Sequence, residues 1–177
     1  MLLIAATASL MLLQQAPPAD IDWDAEFGIE TRERDPQTGE YPVDPYHEDN
    51  ANAGAEPVSG ERLAAAFGGR EGIERIADRA IDLAEADPRI AAIFVSHDTV
   101  RIKRTLGEQL CYLLNAGCDY TGRDMRTSHE GLGLTRADLN ALVENLQSAM
   151  REAGVPFNAQ NRLLARLAPM SKDVIER

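Results

Sequence analysis

From Ser59 onward, apolar residues return at intervals of three, four and seven, the repeat that lays one apolar stripe along a helix. Ile73, Ile76, Ala77, Ala80, Ile81 and Ala84 form such a stripe, and Pro88 ends it just past Asp87. Before it, Ser59 caps a shorter predicted helix that reaches Phe67, where Gly68 and Gly69 stop it. A turn of helix carries Ile90, Ile93 and Phe94. Asp98 or Ser96 then caps a long helix whose inner face is Ile102, Leu106, Leu110, Leu113 and Leu114, with Arg101, Lys103, Arg104 and Glu108 facing outward. It runs out near residues 115–117. Thr135 with Asp138 reads as a capping box opening a helix with Leu139, Leu142, Val143, Leu146 and Met150 on one stripe, closed by Gly154 and Pro156. A last helix from about Asn158 buries Leu163, Leu164, Leu167, Met170 and Val174, with a kink expected at Pro169. No stretch alternates as a strand would, so the pattern predicts an all-α domain over residues 59–177.

The pattern fails before Ser59. Residues 17–58 are rich in Pro, Gly, Asp and Glu, with apolar side chains too sparse for a helical or strand face, and read as an acidic disordered linker. Trp23, Phe27 and Ile29 could form a short docking segment within it, although scattered aromatics in such a linker need no function. His47 beside Glu48 and Asp49 lacks the several ligands that a fixed metal site requires. Residues 1–16 carry no charge, and the apolar run from Leu2 to Leu13 has the length of a signal-peptide core, too short for a stable membrane span. No Lys or Arg precedes that run, which leaves an uncleaved N-terminus as the alternative. An exported protein, periplasmic or extracellular, is the expectation, and a cytoplasmic one if the segment is not a leader.

Charge sharpens this division. The chain of 177 residues carries a net charge of -11, but residues 17–58 hold 12 acidic and 2 basic side chains, whereas residues 59–177 hold 17 and 16. A nearly neutral helical domain behind an acidic segment offers no basic face to nucleic acid or to anionic lipid.

Chemistry is concentrated in Tyr120 to Leu134, YTGRDMRTSHEGLGL, where His129 stands between a polar turn and a Gly-x-Gly pair. A neutral imidazole suits an iron whose opposite face must stay open, although a lone histidine is more often an ordinary residue. YTGRDM, three residues, then H-x-G-x-G-[IL]-T resembles the proximal side of group I truncated haemoglobins, short globins built as a two-over-two helical sandwich. FGG at Phe67 to Gly69, ADPRIAAIF at Ala86 to Phe94, LCYLLNAGCDYTG at Leu110 to Gly122 and REAGVP at Arg151 to Pro156 extend the resemblance from about Leu63 to Val174.

The resemblance implies a globin-like, truncated two-over-two sandwich enclosing haem b. Its iron would be held by His129, with Phe94 packed on the macrocycle. Arg101 and Lys103 fall near the rim and would pair with the propionates, although a solvated helix face explains them equally well. On the distal side the chain departs from its relatives: Ile81 and Leu106 occupy the places of a tyrosine and a glutamine that hydrogen-bond dioxygen. With Phe94, Ile102 and Leu110 they would make a dry pocket, for which Thr105 or His97 could supply a substitute donor. His97 could also be a second iron ligand.

These features lead to a haem protein that binds dioxygen, carbon monoxide or nitric oxide reversibly. A haem enzyme acting on peroxide or nitrogen oxides is the alternative, weakened by the lack of a distal acid or base. A globin that has lost haem is a third reading. Cys111 and Cys118 could form a disulfide in an oxidising compartment or remain two buried thiols.

Overall fold

The computed structural model describes residues 33–177, and the regular structure among them is helical throughout. The α-helices are α1 (Arg62–Ala66), α2 (Gly69–Ala86), α3 (Ala91–Phe94), α4 (Thr99–Leu113), α5 (Met125–His129), α6 (Arg136–Glu152), α7 (Phe157–Leu167) and α8 (Ser171–Val174). Short 3-10 turns at Asn50–Ala53 and Ala168–Met170 complete them. Helix α2 packs against both α4 and α6, and α6 against α7. The stripes meet as their spacing requires. Ile73, Ile76, Ala77 and Ala80 of α2 face Leu110 and Cys111 of α4, Leu146, Ala149 and Met150 of α6, and Leu163 of α7. Truncating one of the largest of these, such as Leu110 or Leu163, to Ala would cost about 2–5 kcal/mol through lost transfer energy and the cavity left behind.

The helix ends follow the expected signals with three exceptions, the first being Ser59, which does not cap α1: that helix starts at Arg62 behind Glu61, with no side-chain cap. Thr135 and Asp138 form the reciprocal capping box at the start of α6, the Thr135 Oγ1 accepting from the Asp138 N–H at 3.3 Å and the Asp138 carboxylate accepting from the Thr135 N–H at 2.8 Å. Pro169 ends α7 in a 3-10 turn instead of kinking a continuous helix, because proline cannot donate the next helical hydrogen bond. Asp98 stands at the N-cap position of α4 but does not cap it. Its carboxylate instead accepts from Arg34 at 2.8 Å and from the Tyr41 N–H at 2.7 Å.

Those two bonds begin a correction to the disordered linker expected over residues 17–58. Residues 34–58 lie against the helices as an extended strap, while residues 17–32 of that linker, with Trp23, Phe27 and Ile29, and the leader expected over residues 1–16 lie outside the described residues. Polar anchors hold the strap in place of an apolar stripe. Glu40, only 5% exposed, receives Arg101 at 2.9 Å and also pairs with Arg104. The Arg104 guanidinium is thereby raised further above its ordinary range, chiefly by its hydrogen bond to Glu40. Arg101 and Arg104, expected to face solvent, therefore lie partly beneath the strap.

Further along the strap, the Tyr46 hydroxyl donates to the Thr121 carbonyl at 2.7 Å. Asn50 accepts from the Tyr120 N–H at 2.7 Å, Ala53 is fully buried beside Leu113, Tyr120 and Met170, and the Val58 N–H donates to the Leu113 carbonyl at 2.9 Å. Acidic and amide side chains thus do here what apolar periodicity does in the helices.

Cys111 and Cys118 are joined in a disulfide with a Cα–Cα separation of 5.7 Å. It ties the last turn of α4 to the chain that leads into Tyr120. Closing so short a loop stabilises the fold by roughly 2–3 kcal/mol on the chain-entropy account.

Candidate cofactor site

His129 is the last residue of α5, a helix too short to be stable by itself. Its start is fixed by Asp124, whose carboxylate accepts from the Thr127 N–H at 3.0 Å and the Thr127 hydroxyl at 2.7 Å. These bonds hold the Asp124 carboxyl below the ordinary aspartate range. The half-buried His129 ring donates from Nδ1 to the Met125 carbonyl one helical turn earlier, at 2.6 Å. That bond assigns the proton to Nδ1 and leaves the Nε2 lone pair available, the arrangement that orients a metal-binding imidazole.

Ile81 of α2 is 2% exposed. Ile102 and Leu106 are half-buried one turn apart on α4, and the next turn brings Leu110, which is buried. Leu106 rests on the main core, of which Leu110 is itself a part. Phe94 ends α3 half-buried, packed with Ile93 and Leu142 against the cluster of Ala84, Ile90 and Ala141. These five side chains present carbon and no hydrogen-bonding group. Thr105 does not supply the missing donor, because its hydroxyl is committed to the Arg101 carbonyl at 2.9 Å within α4. His97 is exposed, with the Ser96 hydroxyl at 3.5 Å, and borders a shallow hollow with Phe94, Val95 and Thr99.

The cations expected at the rim already have partners. Lys103 pairs with Asp82 of α2, and this hydrogen bond raises the lysine above its ordinary value. Arg101 is held by Glu40 and by the Tyr41 carbonyl at 3.2 Å, yet its Nε is buried and has no hydrogen-bond partner among the described residues. A buried, unpaired guanidinium nitrogen suits an anionic group. An available Nε2, donor-free apolar side chains and an orphaned guanidinium Nε are each the kind of group that a flat apolar cofactor bearing carboxylates requires.

Two residues here escaped the hydrophobic pattern. Gln109, buried on the inner side of α4, donates to the Ala53 carbonyl at 3.0 Å and lies 3.3 Å from the Met125 sulfur. Its position three residues beyond Leu106 was the available signal. Tyr120 donates its hydroxyl to the Arg123 carbonyl at 2.8 Å, and burial pushes the phenol well above its ordinary value. His47 reaches only the Asp49 carboxylate, at 3.8 Å, and among the described residues no three His, Cys, Asp or Glu side chains converge as a metal cluster. No helix of the described residues is long and apolar enough to cross a membrane.

A family model described as bacterial-like globin matches residues 63–176. A group 1 truncated hemoglobin of Mycolicibacterium paratuberculosis is 27% identical over 120 residues, covering 68% of this chain and 86% of its own length. Another, from Chlamydomonas moewusii, is 33% identical over 96 residues, covering 52% of this chain and 56% of its own length. In three dimensions the truncated hemoglobin of Tetrahymena pyriformis superposes with a TM-score of 0.62 at 23% identity, covering 65% of this chain and 98% of that one. The chain therefore belongs to the bacterial-like globin family. Within that family its relatives and its two-over-two fold place it with the group I truncated haemoglobins.

Proposed function

We propose that this globin holds haem b through His129 Nε2 and binds a diatomic gas beside a wall made by Ile81, Phe94, Ile102, Leu106 and Leu110. The observation that carries the proposal is the Nδ1 hydrogen bond from His129 to the Met125 carbonyl at 2.6 Å. It fixes the ring and its tautomer before any metal arrives. Haem iron, when bound, supplies a coordination position for dioxygen, carbon monoxide or nitric oxide. Arg101 would offer its unpaired Nε to a propionate, and Lys103 would have to leave Asp82 to do the same.

The apolar wall excludes water and withholds a hydrogen bond from the gas. Dioxygen gains negative charge on coordination, so the lack of a donor costs its complex about 1.5–3 kcal/mol. Carbon monoxide gains little charge and is affected less. The wall also lacks an acid or base to cleave peroxide or protonate a nitrogen oxide, which favours reversible binding over catalysis. The Cys111–Cys118 disulfide favours an oxidising compartment outside the cytoplasm, in keeping with the leader read in residues 1–16.

Stopped-flow release of dioxygen and carbon monoxide from the haem-loaded protein and from Ile81→Tyr tests the distal assignment. The parent should lose dioxygen quickly, and the tyrosine variant roughly ten- to a hundredfold more slowly, with carbon monoxide release changed by less than about threefold. Slow dioxygen release from the parent, unchanged in the variant, would defeat it.

A further inference from the structure

We infer that Glu176 is a positioning residue for His129, acting through the Gly-x-Gly loop that follows it. The inference rests on the reading of His129 as the iron ligand. After His129 the backbone turns out of α5 at Glu130, and the loop passes through Gly131 and Gly133 at φ 80° and 64°. Left-handed geometry is open to glycine at little cost, but the same freedom lets an unrestrained loop explore other conformations and carry His129 with it. Glu176 removes that freedom from outside the loop. One carboxylate oxygen accepts the Gly131 N–H at 2.6 Å and the other accepts the Gly133 N–H at 2.5 Å.

Neighbouring bonds make this a two-sided clamp. The Glu176 and Arg177 N–H groups donate to the Leu134 carbonyl at 2.9 and 3.2 Å, and Asp173 pairs with Arg126 inside α5 at 2.6 Å. Helix α5 is thus fastened at Asp124 on its near side and by the segment after α7 on its far side. The internal Nδ1 bond sets the tautomer of the His129 ring, whereas Glu176 sets where the end of the helix, and so the ring, can sit. A carboxylate shared between two N–H groups of one loop is a charge-assisted, bidentate contact, and no neutral side chain provides both acceptors equally well.

The test uses the full chain as Glu176→Ala, Glu176→Gln and His129→Gly, the last with and without added imidazole. Three quantities are read: hydrogen exchange of the Gly131 and Gly133 amides without haem, the rate of haemin transfer to apomyoglobin, and the iron–histidine stretching band of the ferrous protein. In Glu176→Ala both amides should exchange faster, haemin should leave roughly three- to tenfold faster, and the stretching band should shift or broaden. Glu176→Gln, which keeps one acceptor, should fall between that variant and the parent. If the alanine variant does not fold, the glutamine variant carries the comparison alone. Faster exchange with unchanged haemin loss and an unchanged band would make Glu176 merely structural and overturn the inference. Loss of the band in His129→Gly, with recovery in imidazole, would in that case leave the ligand assignment standing. A band unaffected by His129→Gly would remove the ligand assignment and this inference together.

Discussion

Asp87 shows how one carboxylate at a helix end can join two layers. It follows the last turn of α2 and accepts from the Arg89 Nε and Nη2, from the Arg89 backbone N–H at 3.1 Å and from the Asn145 amide of α6 at 3.0 Å, while Arg89 reaches on to Glu144 at 2.7 Å. The Arg89 guanidinium, helped by the Arg89 and Asn145 N–H groups, holds the Asp87 carboxyl well below the ordinary aspartate range. A group whose folded pKa is depressed stabilises the fold above its unfolded value, about 4, and that contribution disappears as pH falls toward the folded value. Asp87→Asn should therefore be less stable at neutral pH and lose less of its stability than the parent between about pH 5 and pH 2. Urea unfolding at several pH values checks this, and parallel acid limbs for the two proteins would count against it.

Among elements, the strap over residues 34–58 changes how the globin helices must be understood. It links the acidic segment to α4 through Glu40 and to the Tyr120–Gly122 stretch through Tyr46, Asn50 and Asn52, whose amide donates to the Gly122 carbonyl at 3.2 Å. Glu40→Ala would leave Arg101 beneath the strap without its carboxylate. Because Arg101 and Arg104 keep partial access to water, the loss should be about 2 kcal/mol, between the values typical of exposed and of fully buried ion pairs. Limited proteolysis should then cut the variant within residues 34–46 faster than the parent, while α2, α4 and α6 remain intact. Equal cutting rates would show that the pairing does not hold the strap.

The strap could not be read from hydrophobic periodicity because its anchors are polar and their partners distant. Glu40 and Arg104 are 64 residues apart, and nothing local in either segment announces the other. The helices were legible for the opposite reason: Ile73 to Ala84, Leu139 to Met150 and the Thr135 capping box carry their signals within a few residues. The site divides in the same way. His129 stands out by the residues around it, whereas Glu176 binds the loop from more than forty residues away and leaves no local mark.

At the scale of the whole molecule, acidic and basic charge meet across the strap. The surplus of carboxylates before Ser59 is partly neutralised by Arg101 and Arg104 on α4, so the two regions that differ most in composition share one ionic seam. That seam lies against the helix whose other positions, Ile102, Leu106 and Leu110, would face the gas. The disulfide and the strap both brace the stretch before α5, and Glu176 braces the stretch after it. The supports therefore converge on one imidazole, the one proposed to hold an iron.

The direct measurement is the absorption spectrum of the full chain after haem addition, in the oxidised, reduced and carbon monoxide-treated reduced states, beside His129→Ala. In the parent a Soret band should appear and shift with carbon monoxide, and in the variant it should be lost or altered. A spectrum of free haem that the substitution leaves unchanged would contradict haem ligation by His129.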